Sequence, residues 1–124
     1  MSTTKYTADH EWVRVDDDDT VTIGITDYAQ EQLGDIVFVQ LPNVGSRLGR
    51  GDEAVVIESV KAAADIKMPL AGEIVAVNEA LTSAPETVNT DPTGAGWFLR
   101  VRPDDRSELD GLLDEAAYAK LTQS

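Results

Sequence analysis

Apolar positions along the chain recur mainly at a spacing of two, which predicts strands. His10-Glu11-Trp12-Val13-Arg14-Val15 alternates, with Trp12 a core candidate. Thr20-Val21-Thr22-Ile23-Gly24-Ile25 is rich in β-branched residues and forms a hairpin with the first run. A short helix is predicted next. Asp27 and Gln30 resemble a capping box, Tyr28, Ala29 and Leu33 recur at helical spacing, and Gly34 suits its end. Asp35 to Leu41 reads as a third strand. Both of its parities are apolar, so both faces are expected to be partly covered. Turn chemistry follows at Pro42-Asn43-Val44-Gly45 and at Leu48-Gly49-Arg50-Gly51-Asp52.

An apolar strand then runs to Val60, a second returns from Ala64 to Lys67, and a third spans Glu73 to Val77 after a turn at Pro69 to Gly72. Ser83 to Ala95 holds two prolines with Asn89, Asp91 and Gly94, and is expected to be irregular. Trp97 to Arg102 is the last strand, stopped by Pro103. The tail changes period. Leu109, Leu112, Leu113, Ala116, Ala117 and Leu121 follow helical spacing with Tyr118 beside them, and Ser107 can cap the start. The fold class is mainly β: a sandwich or barrel with a short helix after strand 2 and C-terminal helices. Residues 1–124 are read as one domain, with a hairpin region at about 51–78 and a helical tail at about 106–122.

Between the two central strands stands Lys61, among Ser59, Val60 and three alanines. That places it at or near a hairpin tip. A tip lysine is ordinarily a solubility device, and an unperturbed amine is protonated at neutral pH and a poor nucleophile. An enzyme that supplies an activated acyl group could nevertheless convert it to an amide, and the small neighbours would not crowd the arm.

Composition narrows the chemistry. Ten Lys+Arg against 23 Asp+Glu give a net charge of −13. Nucleic acid and anionic membranes are poor partners for such a chain, and basic docking faces are good ones. The Asp16 to Asp19 run reads as a solvated loop. There is no cysteine and one histidine, which excludes disulfides, thiolate catalysis and a multi-histidine metal centre. No apolar stretch is long enough to span a bilayer. The chain is expected to be a cytoplasmic monomer, or one of an organellar matrix if a presequence was removed.

Several separate motifs carry a family resemblance. Glu58-Ser59-Val60-Lys61-Ala62, Asp65-Ile66, Pro69 and Gly72-Glu73-Ile74-Val75-Ala76-Val77-Asn78 resemble the lipoyl-attachment segment of glycine cleavage system H proteins. His10-Glu11-Trp12, Gly24 to Gln30, Leu33 to Val39, Leu41-Pro42, Val44-Gly45, Val88-Asn89, Asp91-Pro92 and Gly96-Trp97 match in the family's order, so the resemblance covers nearly the whole chain. It departs at Ala64, where the family often has a hydroxyl residue, and at Lys67-Met68.

The resemblance implies a lipoyl/biotinyl-type β sandwich (barrel-sandwich hybrid) with lipoate attached covalently to Lys61. It implies an arm that takes an aminomethyl group from a pyridoxal-phosphate glycine decarboxylase to a tetrahydrofolate-dependent aminomethyltransferase. Dihydrolipoyl dehydrogenase then reoxidises the arm, and a lipoate ligase or lipoyl transferase loads it. Glu11 and Asp65, assisted by Asp9, match positions near a cleft for the loaded arm, and Ile25, Ala29 and Leu33 could wall it. The chain would be a carrier subunit, not an enzyme.

Other readings compete. Lys67-Met68 resembles the attachment site of biotin carriers, but in both families the modified lysine lies about eleven residues before the glycine of the related turn. Lys61 to Gly72 satisfies that spacing and Lys67 does not. Lys67 is read as a solvent-facing strand lysine, and His10 as a strand histidine with a local hydrogen bond. A lipoate-relay or regulatory relative is a second alternative. A free-standing enzyme is the third, disfavoured by the lone histidine and absent cysteine.

Overall fold

The computed structural model describes residues 3–16 and 19–122. Asp17 and Asp18, the middle of the predicted acidic loop, lie outside the described residues. Among the described residues, nine antiparallel strands form two sheets. The larger runs β1 (Thr3–Tyr6), β2 (Glu11–Val15), β3 (Val21–Ile25), β9 (Leu99–Pro103), β8 (Gly72–Val77) and β5 (Arg47–Leu48). The smaller runs β4 (Ile36–Gln40), β6 (Glu53–Ser59) and β7 (Ala63–Lys67). Inward-facing Val13, Ile23 and Val101 of one sheet meet Val55, Ile57 and Ile66 of the other in a common core. The mainly β sandwich expected from the alternation is therefore present.

Several details differ from the sequence reading. The first helix, α1 (Asp27–Leu33), follows the third strand and not the second, because Thr3–Tyr6 adds a strand before the first alternating run. Its cap is Thr26, whose hydroxyl accepts the Ala29 N–H at 3.2 Å. Asp27 instead takes a hydrogen bond from the Gln30 side chain. Gly34 does end the helix, at φ 80°.

Strand β4 is not covered on both faces. A register shift between Ile36 and Phe38 inserts Val37 as an extra residue, leaving Val37 55% and Phe38 45% exposed while Ile36 and Val39 are buried. The stretch expected to be irregular contains two helical turns, α2 (Ala80–Ser83) and α3 (Thr87–Thr90). Asp16 is more than a solvated loop residue: it accepts from Thr22 at 2.6 Å and pairs with Arg14 and Arg100.

The tail forms a 3₁₀ helix at Arg106–Gly111 and then α4 (Glu115–Thr122). Asp105, not Ser107, caps the 3₁₀ helix. Leu109 and Tyr118 are the buried tail residues, whereas Ala116, Ala117 and Leu121 face solvent. The tail therefore docks through Leu109, with Leu112 packed beside the core, and through the Tyr118 ring, and not through the C-terminal half of the aliphatic stripe.

Candidate functional site

Strands β6 and β7 alternate so that Val55, Ile57 and Ile66 enter the core, and the three-residue link Val60-Lys61-Ala62 projects from their end. Ser59 organises this link. Its hydroxyl accepts the N–H groups of Lys61 at 3.2 Å and Ala62 at 3.1 Å and donates to the Ala62 carbonyl at 3.0 Å. The Ser59 N–H also reaches the Ala62 carbonyl at 2.8 Å, and the Val60 N–H reaches the Asp35 carbonyl at 3.0 Å. The tip is thus a hydrogen-bonded turn that presents an exposed lysine.

Lys61 does not point away from the body. Its side chain crosses Gly34, where an added Cβ would lie 3.2 Å from Lys61 Cε. Gly34 is held from the other side by Asn89, whose amide donates to the Gly34 carbonyl and to the Gln30 side chain, both at 2.9 Å. Asn89 also accepts the Ile36 N–H at 2.8 Å. The lysine stem is therefore seated on the C-terminal end of α1.

Helix α1 forms one wall of a cavity of about 460 Å³. Tyr28, Ala29, Gln32 and Leu33 line it at helical spacing, Ala64 to Lys67 of β7 face them, and Asp9, His10, Glu11 and Ile25 complete it. All six cleft candidates (Glu11, Asp65, Asp9, Ile25, Ala29 and Leu33) lie in this one lining.

The cavity sits on the seam between the sheets. Ala64 and Ile66 pair with Ile57 and Val55, and Met68 bonds to Asp52 and Gly51, so even positions spend their backbone groups on β6 and its lead-in. Backbone groups of odd positions consequently face the open edge of β7. The N–H of Lys67 is one of these, and it favours the charged form of the nearby Glu11 carboxyl.

Glu11 is only 3% exposed. The Thr7 hydroxyl donates to its carboxylate at 3.3 Å and accepts its N–H at 3.2 Å. Burial first and the Asp9 charge second push its carboxyl up to about 7; the bonds from Thr7 and Lys67 act in the opposite direction but are weaker. The carboxyl can gain or lose a proton near neutrality although it is buried.

His10, Tyr28, Gln32, Ala64, Ile66 and Lys67 also line the cavity and were absent from the sequence-derived set. Tyr28 and Gln32 share the helix face of Ala29 and Leu33, and Ala64 and Ile66 flank Asp65, so periodicity carried a signal for these four. His10 carried none. It lies outside β2 at φ 69°, and its hydrogen bond is not local: Nδ1 lies 2.8 Å from the Tyr118 hydroxyl, 108 residues away. Lys67 is solvent-exposed as expected, yet also borders the cavity.

The sequence profile of the glycine cleavage H-protein family matches residues 4–124. The chain belongs to this family. It is similar to the glycine cleavage system H protein of Teredinibacter turnerae, with 61% identity over 116 residues, covering 94% of this chain and 89% of that one. The H protein of Beijerinckia indica is 61% identical over 118 residues, covering 95% and 94%. A crystal structure of an H protein from Mycobacterium marinum superposes with a TM-score of 0.87 at 42% identity, covering 95% of this chain and 94% of that one. H proteins carry lipoate and act as carrier subunits of the glycine cleavage system, not as enzymes by themselves.

The residues present fit such a group. An exposed lysine stands on a defined turn, its stem runs toward a helix that walls a cavity, and that cavity combines apolar sides with a buried carboxyl.

Proposed function

We propose that Lys61 is the lipoyl attachment site and that the α1–β7 cavity shelters the far end of the arm when it carries an aminomethyl group. The observation that carries this reading is the convergence of Asp9, Glu11 and Asp65 with Ile25, Ala29 and Leu33 in one cavity beside the seat of the Lys61 stem. When bound, lipoate supplies a sulfur that takes up the carried group and a dithiol that must be reoxidised.

The protein's own residues perform the sheltering. Ile25, Ala29 and Leu33 exclude water from the carried end. Asp65 and Asp9 supply negative potential at the entrance. Glu11 lies deeper, and an arriving ammonium favours its carboxylate form and forms a charge-assisted hydrogen bond with it. Release needs only that a partner bind the same end better, so a mixed cavity of modest depth suits a shuttle.

The partners in this reading are a glycine decarboxylase, an aminomethyltransferase, dihydrolipoyl dehydrogenase and a lipoate ligase or lipoyl transferase, met in the cytoplasm by residues 1–124 acting as one domain. The net charge of −13 supports fast, salt-sensitive encounters with basic faces. Peptide mass spectrometry of protein made in a lipoate-competent host tests the attachment: a lipoyl mass on the Lys61 peptide is expected. The same mass on Lys67, or biotin on Lys61, overturns it. Glu11→Gln and Asp65→Asn are expected to shorten the life of the loaded arm, and an unchanged lifetime in both removes the sheltering role.

A further inference from the structure

The rim of the cavity holds a hydrogen-bonded chain that the carrier reading leaves unused. Thr26 Oγ1 lies 2.7 Å from Tyr118 Oη, which lies 2.8 Å from His10 Nδ1. Thr26 caps α1, Tyr118 belongs to α4, and His10 occupies the turn before β2, so the chain joins three segments at one edge of the cavity. The imidazole is also caged. Tyr28 packs on it at 4.6 Å and Tyr118 meets it edge-on at 5.6 Å, while Tyr6 stacks flat on Tyr118 at 4.7 Å. His10 adopts a left-handed backbone that few non-glycine residues accept. The surroundings over-determine its position.

Donor counting gives the chain a direction. Thr26 Oγ1 already accepts the Ala29 N–H. If Tyr118 also donated to Thr26, the Thr26 hydrogen would have no acceptor among the described residues, in a side chain belonging to a residue 4% exposed. The opposite order uses every hydrogen: Thr26 donates to Tyr118, and Tyr118 donates to His10 Nδ1. Burial pushes the Tyr118 phenol up, so it keeps the hydrogen it must donate. In the neutral imidazole the remaining proton is then on Nε2.

We propose that Tyr118 is a positioning residue for the cavity: its hydroxyl holds His10 as the Nε2–H tautomer, giving the rim a fixed N–H donor for an acceptor on an acyl-amide arm. The proposal rests on the carrier reading and adds the half of recognition that carboxylates lack. Glu11, Asp9 and Asp65 suit a cationic end. The amide that tethers an acyl group to a lysine offers a carbonyl, which needs a donor. The C-terminal helix thereby shapes the cavity without lining it.

His10 is the single histidine, so long-range ¹H–¹⁵N spectra report on it without ambiguity. The unmodified full chain would be examined at about pH 8, above the ordinary histidine range. Nδ1 is expected as the unprotonated nitrogen, and in Tyr118→Phe, which keeps the ring stacked on Tyr6, the Nδ1 resonance should move more than that of Nε2. A protonated Nδ1 in the wild type, or an unmoved Nδ1 in the variant, overturns the proposal. In lipoylated protein, Tyr118→Phe should speed loss of the carried group about threefold to tenfold, the scale of one neutral hydrogen bond. It should have no such effect in a His10→Gly background, where the backbone conformation remains accessible. Equal effects in both backgrounds would make Tyr118 merely structural and refute the proposal. A missing lipoyl mass on Lys61 would defeat the carrier reading and the arm's part in this one, whereas the tautomer result bears on Tyr118 alone.

Discussion

Glu11→Gln keeps the shape of the side chain and a carbonyl acceptor for the Thr7 hydroxyl, and removes its ability to ionise. In the wild type the carboxyl is raised from 4.5 to about 7, by burial and then by Asp9. A raised carboxyl pKa means that the native state holds this proton more tightly than the unfolded chain does. Stability is therefore undiminished below about pH 4.5, declines as pH rises toward 7, and at higher pH the full penalty is present. A separation of about 2.5 units corresponds to about 3 kcal/mol at pH 8. That is a large fraction of the roughly 5–15 kcal/mol that holds an ordinary domain folded. Urea unfolding would be followed by fluorescence of the buried Trp12 for both proteins, at intervals from pH 4.5 to 8. The stability of the wild type relative to Glu11→Gln should fall by about 3 kcal/mol across that range. A flat difference would refute the buried, raised carboxyl. A difference that grew with pH would show the opposite: a carboxylate stabilised by its hydrogen bonds more than it is penalised by burial.

Gly34→Ala places a side chain at φ 80° and 3.2 Å from Lys61 Cε, and should cost about 1–3 kcal/mol in urea unfolding while shifting the Lys61 methylene resonances; unchanged resonances would mean the stem is not seated there. Ser59→Ala removes the acceptor for two tip amides, so hydrogen exchange at Lys61 and Ala62 should accelerate about tenfold with little change in the melting temperature. Protection that persists would assign the turn's order to its backbone bonds alone. Lys61→Arg should leave the melting temperature within a degree or two, since the side chain is exposed, and abolish the lipoyl mass. A lipoyl adduct elsewhere in that variant would reassign the site.

Alternation made the β6–β7 hairpin and its tip legible, because Val55, Ile57 and Ile66 had to share a face and Lys61 had to fall between the strands. The cleft set was legible only through resemblance. Nothing in local spacing joins Glu11 to Asp65 across 54 positions, and the seam that joins them depends on how two sheets meet. His10 shows a different limit. A left-handed histidine leaves no signature, and its partner Tyr118 was obscured by aliphatic neighbours that form a more regular helical stripe. Strand β4 misled for a third reason: a single inserted residue at Val37 changes which side chains face out without changing the composition.

The Ser59 turn has a consequence for the kinetics of delivery. Its bonds to Lys61, Ala62 and Asp35 fix the base of the side chain, so the reach of any attached group is set by that group and not by loop motion. A tethered reactant confined near a fixed pivot presents a high effective concentration to whatever lies within its radius and almost none beyond it. Outside the cavity the protein body then only excludes the arm, which narrows the search before a partner arrives. An enzyme that docks with its active-site mouth inside that radius meets its substrate in an effectively unimolecular step, and one that docks outside it meets none.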